Sequence, residues 1–138
     1  MKYALRIVFA AILVLGLAAC GSSSNGGNGT APPSYAGKWS GEVNDTLAGS
    51  GAISANLTQS GDELGGTWQA TYADSTSNSG SALGLINGSD VILELYPSDP
   101  TSCPFRVVAS RSGNTLEGTY AAFDCTISVS GEVTLTKD

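Results

Sequence analysis

The side chains that could carry chemistry are few in this sequence. It contains 12 acidic residues and three cysteines but no histidine. Because histidine is the usual general base and a common zinc ligand, a Ser-His-Asp triad, a Cys-His couple and a histidine-ligated zinc site are excluded. Paired carboxylates could act as in a glycoside hydrolase, and Asp62, Glu63 and Asp74 are available. They lie in predicted turns and loops, where a solvated charge is the ordinary role, so we expect neither enzyme activity nor a cofactor.

Residues 74–78 are the one candidate for a metal site. Their sequence, Asp-Ser-Thr-Ser-Asn, offers the oxygen ligands that calcium prefers. No glutamate follows at the spacing of a calcium-binding loop. The sequence therefore predicts no bound metal.

Residues 1–19 have the pattern of a signal peptide. Lys2 and Arg6 form a positive region, and the apolar stretch after them is shorter than the roughly 20 residues that span a bilayer. The segment ends in a Leu-Ala-Ala-Cys sequence at Cys20, which resembles the lipobox of bacterial lipoproteins. The resemblance implies cleavage before Cys20 and a diacylglycerol on its thiol, whereas the alternative is an ordinary secretory signal. Gly21, in place of an aspartate, implies outer-membrane sorting if the source is Gram-negative.

Residues 20–34 read as a lipidated cysteine followed by a flexible linker. They are rich in Gly, Ser and Asn, and a coil of this length reaches about 20 Å. The chain beyond residue 19 keeps all 12 acidic residues and loses Lys2 and Arg6. Such an acidic chain is a poor ligand for nucleic acid or for anionic headgroups. We therefore expect a cell-envelope protein that contacts the bilayer through its acyl anchor alone.

Residues 35–138 predict an all-β domain, because apolar and polar residues alternate with period two between glycine turns. The clearest strand is the last, over residues 126–136. There Ile127, Val129, Val133 and Leu135 share one face, opposite serine and threonine. One dry face and one wet face argue against a lipid-embedded barrel.

An internal repeat predicts two hairpins. Residues 60–70 and 112–122 share the pattern S-G-x-x-L-x-G-T-[WY]-x-A. Tight turns at Gly-Asp and Gly-Asn, in which Gly supplies the positive φ and Asp or Asn tolerates it, would pair Ala55 with Trp68 and Val107 with Tyr120. Both aromatic residues then point inward, and a one-residue slip would turn each set outward.

For a third hairpin, around residues 87–88, the sequence does not show which face points inward. Either Leu83 and Leu85 or Ala82 and Ile86 could point inward. With an opening pair and a final strand, the count reaches eight. We therefore predict a small eight-stranded antiparallel up-and-down barrel, with a two-sheet β-sandwich as the alternative.

The opening strand carries Gly-Lys-Trp at residues 37–39, and the repeats carry Leu-x-Gly-Thr followed by Trp or Tyr. This pattern resembles the calycins, the lipocalins and avidins. The resemblance implies a basic side chain, here Lys137, over the ring of Trp39. Avidins line their biotin site with several tryptophans, whereas this chain has only Trp39 and Trp68, so biotin is not the expected ligand.

Cys103 and Cys125 remain as an even pair in an oxidising compartment. The predicted register places Cys103 opposite Asp124, so a single bulge would bring the two cysteines side by side. We expect a disulfide. A reactive thiol or metal pair would need a base or further ligands that the chain lacks.

Function is expected to be non-catalytic binding. A small apolar ligand in the barrel would be lined by Trp68, Tyr120, Trp39 and Phe105. The alternative is an inhibitor or adapter that meets another envelope protein through rim loops carrying Pro100, Pro104, Phe105 and Phe123. A purely structural envelope lipoprotein is the third possibility.

The anchor is directly testable. Replacing Cys20 by serine should give a soluble or uncleaved protein, because the hydroxyl cannot take the thioether-linked diacylglycerol. Intact-mass spectrometry of the wild-type protein should find the lipid. A mature wild-type chain with an unmodified cysteine would contradict the assignment.

Overall fold

The computed structural model describes residues 33–138, which form a closed barrel of eight antiparallel strands in sequential order. The strands are β1 (Gly37–Asp45), β2 (Gly49–Ser60), β3 (Glu63–Tyr72), β4 (Ser77–Asn87), β5 (Asp90–Pro97), β6 (Phe105–Ser112), β7 (Thr115–Ala122) and β8 (Ser130–Lys137). Strand β8 pairs with β1 and closes the ring. The predicted barrel is confirmed, the sandwich is wrong, and the architecture is consistent with a calycin-like barrel. The expected signal peptide, Cys20 and the linker up to residue 32 lie outside the described residues.

Both repeat hairpins have the predicted register. Ala55 pairs with Trp68, and Val107 pairs with Tyr120. Only the first central residue of each turn has positive φ, 61° at Gly61 and 60° at Gly113. A glycine at this position alone is typical of a type II′ turn, and glycine supplies the positive φ as predicted.

The structure resolves the ambiguous hairpin. Asn87 pairs with Asp90, so its central residues are Gly88 and Ser89, one position later than expected. Ala82 is buried inside the barrel, whereas Leu83 is 56% exposed on the outside. Strand β4 therefore has apolar residues on both faces.

The last strand is shorter than predicted. It begins at Ser130, and Ile127 lies in the preceding loop with 55% of its surface exposed. The expected inward position of Ile127 is wrong. Apolar and polar residues begin to alternate several positions before Ser130, the first residue of β8.

The barrel has two different ends. We call one the turn end, because it carries the three two-residue turns at 61–62, 88–89 and 113–114, together with the start of β1. The other is the loop end, with longer connections at 46–48, 73–76, 98–104 and 123–129.

Tyr35 and Trp39 close the turn end, and both are essentially buried. The Tyr35 hydroxyl donates to the carbonyl of Ser89 at 3.1 Å, and its amide donates to Gln59 Oε1 at 2.7 Å. Trp39 Nε1 donates to the carbonyl of Tyr35 at 2.8 Å. Every polar group of this plug therefore has a partner.

Two cations cover the plug from outside. Lys137 Nζ lies 5.8 Å from the centre of the Trp39 ring, as the calycin resemblance implies. The guanidinium of Arg111, which sequence reasoning missed, lies closer, at 5.2 Å from Trp39 and 4.9 Å from Tyr35. Both cations also donate to the carbonyl of Ser34 at 2.7 Å. The cation–π contacts and these hydrogen bonds fasten the entering chain to the turn end.

Glycines make room for the largest inward side chains. Gly80 pairs with Trp68, and a Cβ there would overlap the carbonyl oxygen of Tyr96. Gly131 pairs with Tyr120, and a Cβ there would lie 2.6 Å from the Tyr120 hydroxyl oxygen. In the narrow interior, very large side chains thus lie beside glycines, which have no side chain.

Cys103 and Cys125 form a disulfide at the loop end, with their Cα atoms 5.7 Å apart. The ladder of β6 and β7 extends by one bond, from the Phe123 amide to the Pro104 carbonyl. Asp124 then takes a positive φ of 50°. This irregularity stands where the sequence required a bulge to align the cysteines.

Removing the disulfide should destabilise the barrel without unfolding it. The bridge closes a loop with a sequence separation of 22, for which the chain-entropy model gives about 3 kcal/mol. We expect Cys103→Ala with Cys125→Ala to lower the free energy of unfolding by this amount in urea titrations. Two free thiols in non-reducing peptide maps of secreted wild-type protein would contradict the bridge.

Candidate functional site

Three of the four predicted ligand-binding residues meet inside the loop end. The rings of Trp68 and Phe105 contact edge to face, with centroids 6.4 Å apart, and those of Phe105 and Tyr120 do the same at 5.8 Å. Strands β3, β6 and β7 supply one residue each. We call these three residues the loop-end cluster.

The structure places the fourth residue, Trp39, elsewhere. It belongs to the plug at the turn end, where it is 0% exposed and stacks on Tyr35 at 6.4 Å. Its indole N–H is already bonded to a backbone carbonyl. Trp39 lies one strand beyond Ala55 from Trp68 in the register, but its ring stacks on Tyr35 and contacts no ring of the loop-end cluster.

Trp68 differs from Trp39 in its polar atom. Its side chain is 5% exposed, and its Nε1 is buried with no hydrogen-bond partner among the described residues. A buried donor left unpaired costs about 1–3 kcal/mol. The loop end thus holds a buried, unpaired hydrogen-bond donor beside aromatic rings.

A buried carboxylate, which sequence reasoning missed, holds Tyr120 in place. Asp45 ends β1 and is 7% exposed. Its Oδ2 accepts from the Tyr120 hydroxyl at 2.7 Å, and its Oδ1 accepts from the amides of Leu47 and Ala48 at 2.8 and 2.9 Å. The only signal in the sequence is an aspartate before a short turn, a common Asx-turn position.

The pKa values of this pair move in opposite directions. Burial raises the pKa of Asp45, but the hydrogen bonds from Ala48, Tyr120 and Leu47 outweigh it and leave the pKa below its ordinary value. Burial and the Asp45 carboxylate together raise the pKa of Tyr120 far above its ordinary value. Burial also raises the pKa of the neighbouring Tyr72. The pair is therefore an ionised carboxylate and a neutral phenol at physiological pH.

The carboxylates considered for catalysis or metal binding are not gathered into a site. Asp74 Oδ1 accepts from the amide and hydroxyl of Thr76, at 2.9 and 2.6 Å, and so closes its own turn. Asp62 and Glu63 are exposed at the opposite end of the barrel. Within residues 33–138, no group of three or more Cys, Asp or Glu side chains could hold a metal ion. No helix in this part of the chain is long and apolar enough to cross a membrane.

Access to the cluster depends on Phe105. Trp68 and Tyr120 are buried, whereas Phe105 is only partly buried and begins β6 beside the disulfide loop. The core residues around the loop end are nearly closed to solvent, at 8% for Ile53, 7% for Leu95 and 2% for Ala70. Phe105 is therefore the member of the cluster that is most accessible to solvent.

Comparison with known proteins assigns no relative. No family model matches the sequence, and no curated protein matches it.

The bond between Tyr120 and Asp45 should make stability depend on pH. Because the pKa of Asp45 is lowered in the fold, its ionised form stabilises the protein above about pH 4, and this contribution is lost as the pH falls through the lowered pKa. Tyr120→Phe removes one of the bonds responsible. We expect a loss of about 2 kcal/mol in free energy of unfolding at pH 7, shrinking towards pH 2.

Tyr96→Phe is the matched control. The Tyr96 hydroxyl also bonds a carboxylate, Glu94 at 2.6 Å, but this pair is on the outer surface. Urea titrations at several pH values should show little change for this variant. A Tyr120→Phe protein as stable as the control at neutral pH would contradict the role of Asp45.

Proposed function

We propose that the protein is a non-catalytic binding module of the cell envelope, carried on a lipid anchor at Cys20, which binds a small and largely apolar ligand at the loop-end cluster. The observation that carries this proposal is the unpaired, buried Nε1 of Trp68 within a group of aromatic rings. A fold that leaves such a donor unpaired sacrifices stability, and a bound acceptor would restore it.

The chemistry of the cluster specifies the ligand class. Edge-to-face rings offer apolar surface and no charge, so the body of the ligand must be apolar. The unpaired Nε1 of Trp68 can donate to one acceptor oxygen, such as that of a fatty acid, an alcohol or a ketone. Asp45 is not free to bind, because three donors already occupy its two oxygens.

The orientation of the barrel suits such a role. Residues 33–36 lead into β1 at the turn end, where the plug of Tyr35 and Trp39 closes the interior. The loop end is at the other side of the barrel, so an anchored domain would leave it free to meet ligand. The route to the cluster passes Phe105, and the disulfide limits how far its loop can move.

A protein-interaction module is the second candidate, and the loop end carries one observation in its favour. Leu47 is 67% exposed and Ile127 is 55% exposed. Their loops are joined by the bond from the Thr46 amide to the Ser130 carbonyl at 2.9 Å. Phe123 contributes less than expected, because it is partly buried and packs on Tyr96. A purely structural envelope role requires none of these features.

Ligand binding can be measured with decanoate and 1-decanol. We expect either to bind the purified protein saturably and to change tryptophan fluorescence. Trp68→Phe keeps the aromatic surface and removes the N–H, so affinity should fall about tenfold, the value of one hydrogen bond. Isothermal titration calorimetry measures this loss without relying on the tryptophan signal.

Trp39→Phe is the control, because it makes the same substitution at the turn end. Its affinity should equal that of the wild type at a temperature where both are folded. Absence of saturable binding of fatty acids, alcohols and apolar dyes would contradict the proposal. Binding that the Trp68 substitution leaves unchanged would contradict the site.

A further inference from the structure

One region of the outer wall is apolar. Four aliphatic side chains on β4, β5 and β6 point away from the interior, with exposed fractions of 56% for Leu83, 61% for Leu85, 47% for Ile92 and 53% for Val108. We call these four residues the wall patch. Elsewhere the outward positions are mostly polar, as at Thr58, Thr67 and Thr134 on β2, β3 and β8.

The wall patch is continuous. Leu85 pairs with Ile92, and Ile92 pairs with Val108, so three side chains form a row across three strands. Leu83 is two positions from Leu85 on the same face. A groove of about 380 Å³ runs along the patch, with Leu64 and Gly84 among its lining residues. A contiguous exposed apolar surface with a polar rim is typical of an interaction site.

The barrel does not need these side chains for its own core. Strand β4 already faces the interior with Ala82 and Ile86, so Leu83 and Leu85 add a second apolar face. An antiparallel strand with one solvated face normally has polar residues there. The second face indicates that something covers this part of the wall.

Charge indicates the kind of partner. Glu63 and Glu94 line the same groove, and Glu63 is exposed and left for a partner, whereas Glu94 accepts from Tyr96 and Arg106. Arg106 is the only cation beside the patch within the described residues, and it is already paired with Glu94 at 2.8 Å. Residues 33–138 contain all 12 acidic residues but only four of the six basic ones. A second copy of this acidic wall would be repelled, whereas a basic partner would be attracted.

We propose that the wall patch docks a basic, amphipathic segment of another protein. Its apolar side chains occupy the groove between Leu83, Leu85 and Ile92, and its lysine or arginine side chains meet Glu63 at the rim. The site is on the outside of the barrel and does not require a ligand at the loop-end cluster.

The test uses a short dansyl-labelled peptide of alternating leucine and lysine, titrated into the purified protein and followed by fluorescence anisotropy. Leu85→Thr with Ile92→Thr removes apolar surface while leaving every charge in place. We expect this double variant to bind the peptide at least about tenfold more weakly than wild type, because two large aliphatic contacts are lost.

Leu47→Thr with Ile127→Thr is the matched control, since it makes the same two changes on exposed residues of the loop end. It should bind the peptide as wild type does. A single Glu63→Gln substitution, at an exposed site with no effect expected on folding, should also weaken binding and keeps the proposal testable if the double variant does not fold.

Four results would overturn the proposal. The control could lose as much affinity as the wall-patch variant, or a leucine–glutamate peptide could bind as tightly as the leucine–lysine peptide. Sedimentation could show a wild-type dimer that Leu85→Thr with Ile92→Thr dissociates, which would make a second copy the occupant. Patch-dependent co-sedimentation with phosphatidylcholine–phosphatidylglycerol vesicles would make it a membrane.

Discussion

Closure of eight strands into one narrow barrel is the constraint on which the rest of the structure depends. Every inward side chain must fit beside those of neighbouring strands, so the largest rings lie across from glycine, as Trp68 does at Gly80 and Tyr120 at Gly131. The pairing of β8 with β1 removes the open edges that would invite further strands. Closure also makes the two faces unequal, because the inner face must be dry, whereas the outer face is free to be polar or to carry an interface.

The two ends of the barrel use indole side chains in opposite ways. At the turn end, Trp39 donates to the backbone, lies under Arg111 and Lys137, and is completely buried. At the loop end, Trp68 is also buried, but its donor is unpaired. The first arrangement stabilises the barrel, whereas the second leaves a buried hydrogen-bond donor without an acceptor. This difference is the structural basis of the ligand binding that we propose at the loop end.

Sequence predicts the barrel and two of its hairpins well, because a one-residue slip at Trp68 or Tyr120 would turn an entire strand inside out. It does not show which face of β4 points inward, because apolar residues occupy both faces and the alternation cannot distinguish them. It also misses Asp45 and Arg111. The carboxylate accepts from Tyr120, which is 75 residues away, and the guanidinium lies over Trp39, near the start of β1. Such contacts depend on which ends of the strands meet, and only the closed ring determines that.

Hydrogen exchange of the two indole N–H groups tests the central difference between the ends most directly. In two-dimensional NMR of the ligand-free protein, the Trp39 proton should exchange slowly, because its bond to the Tyr35 carbonyl must open first. The Trp68 proton should exchange faster by about tenfold or more, the factor that one missing hydrogen bond implies. Equal protection of the two protons would contradict the account, because the missing hydrogen bond of Trp68 would then have no effect on exchange.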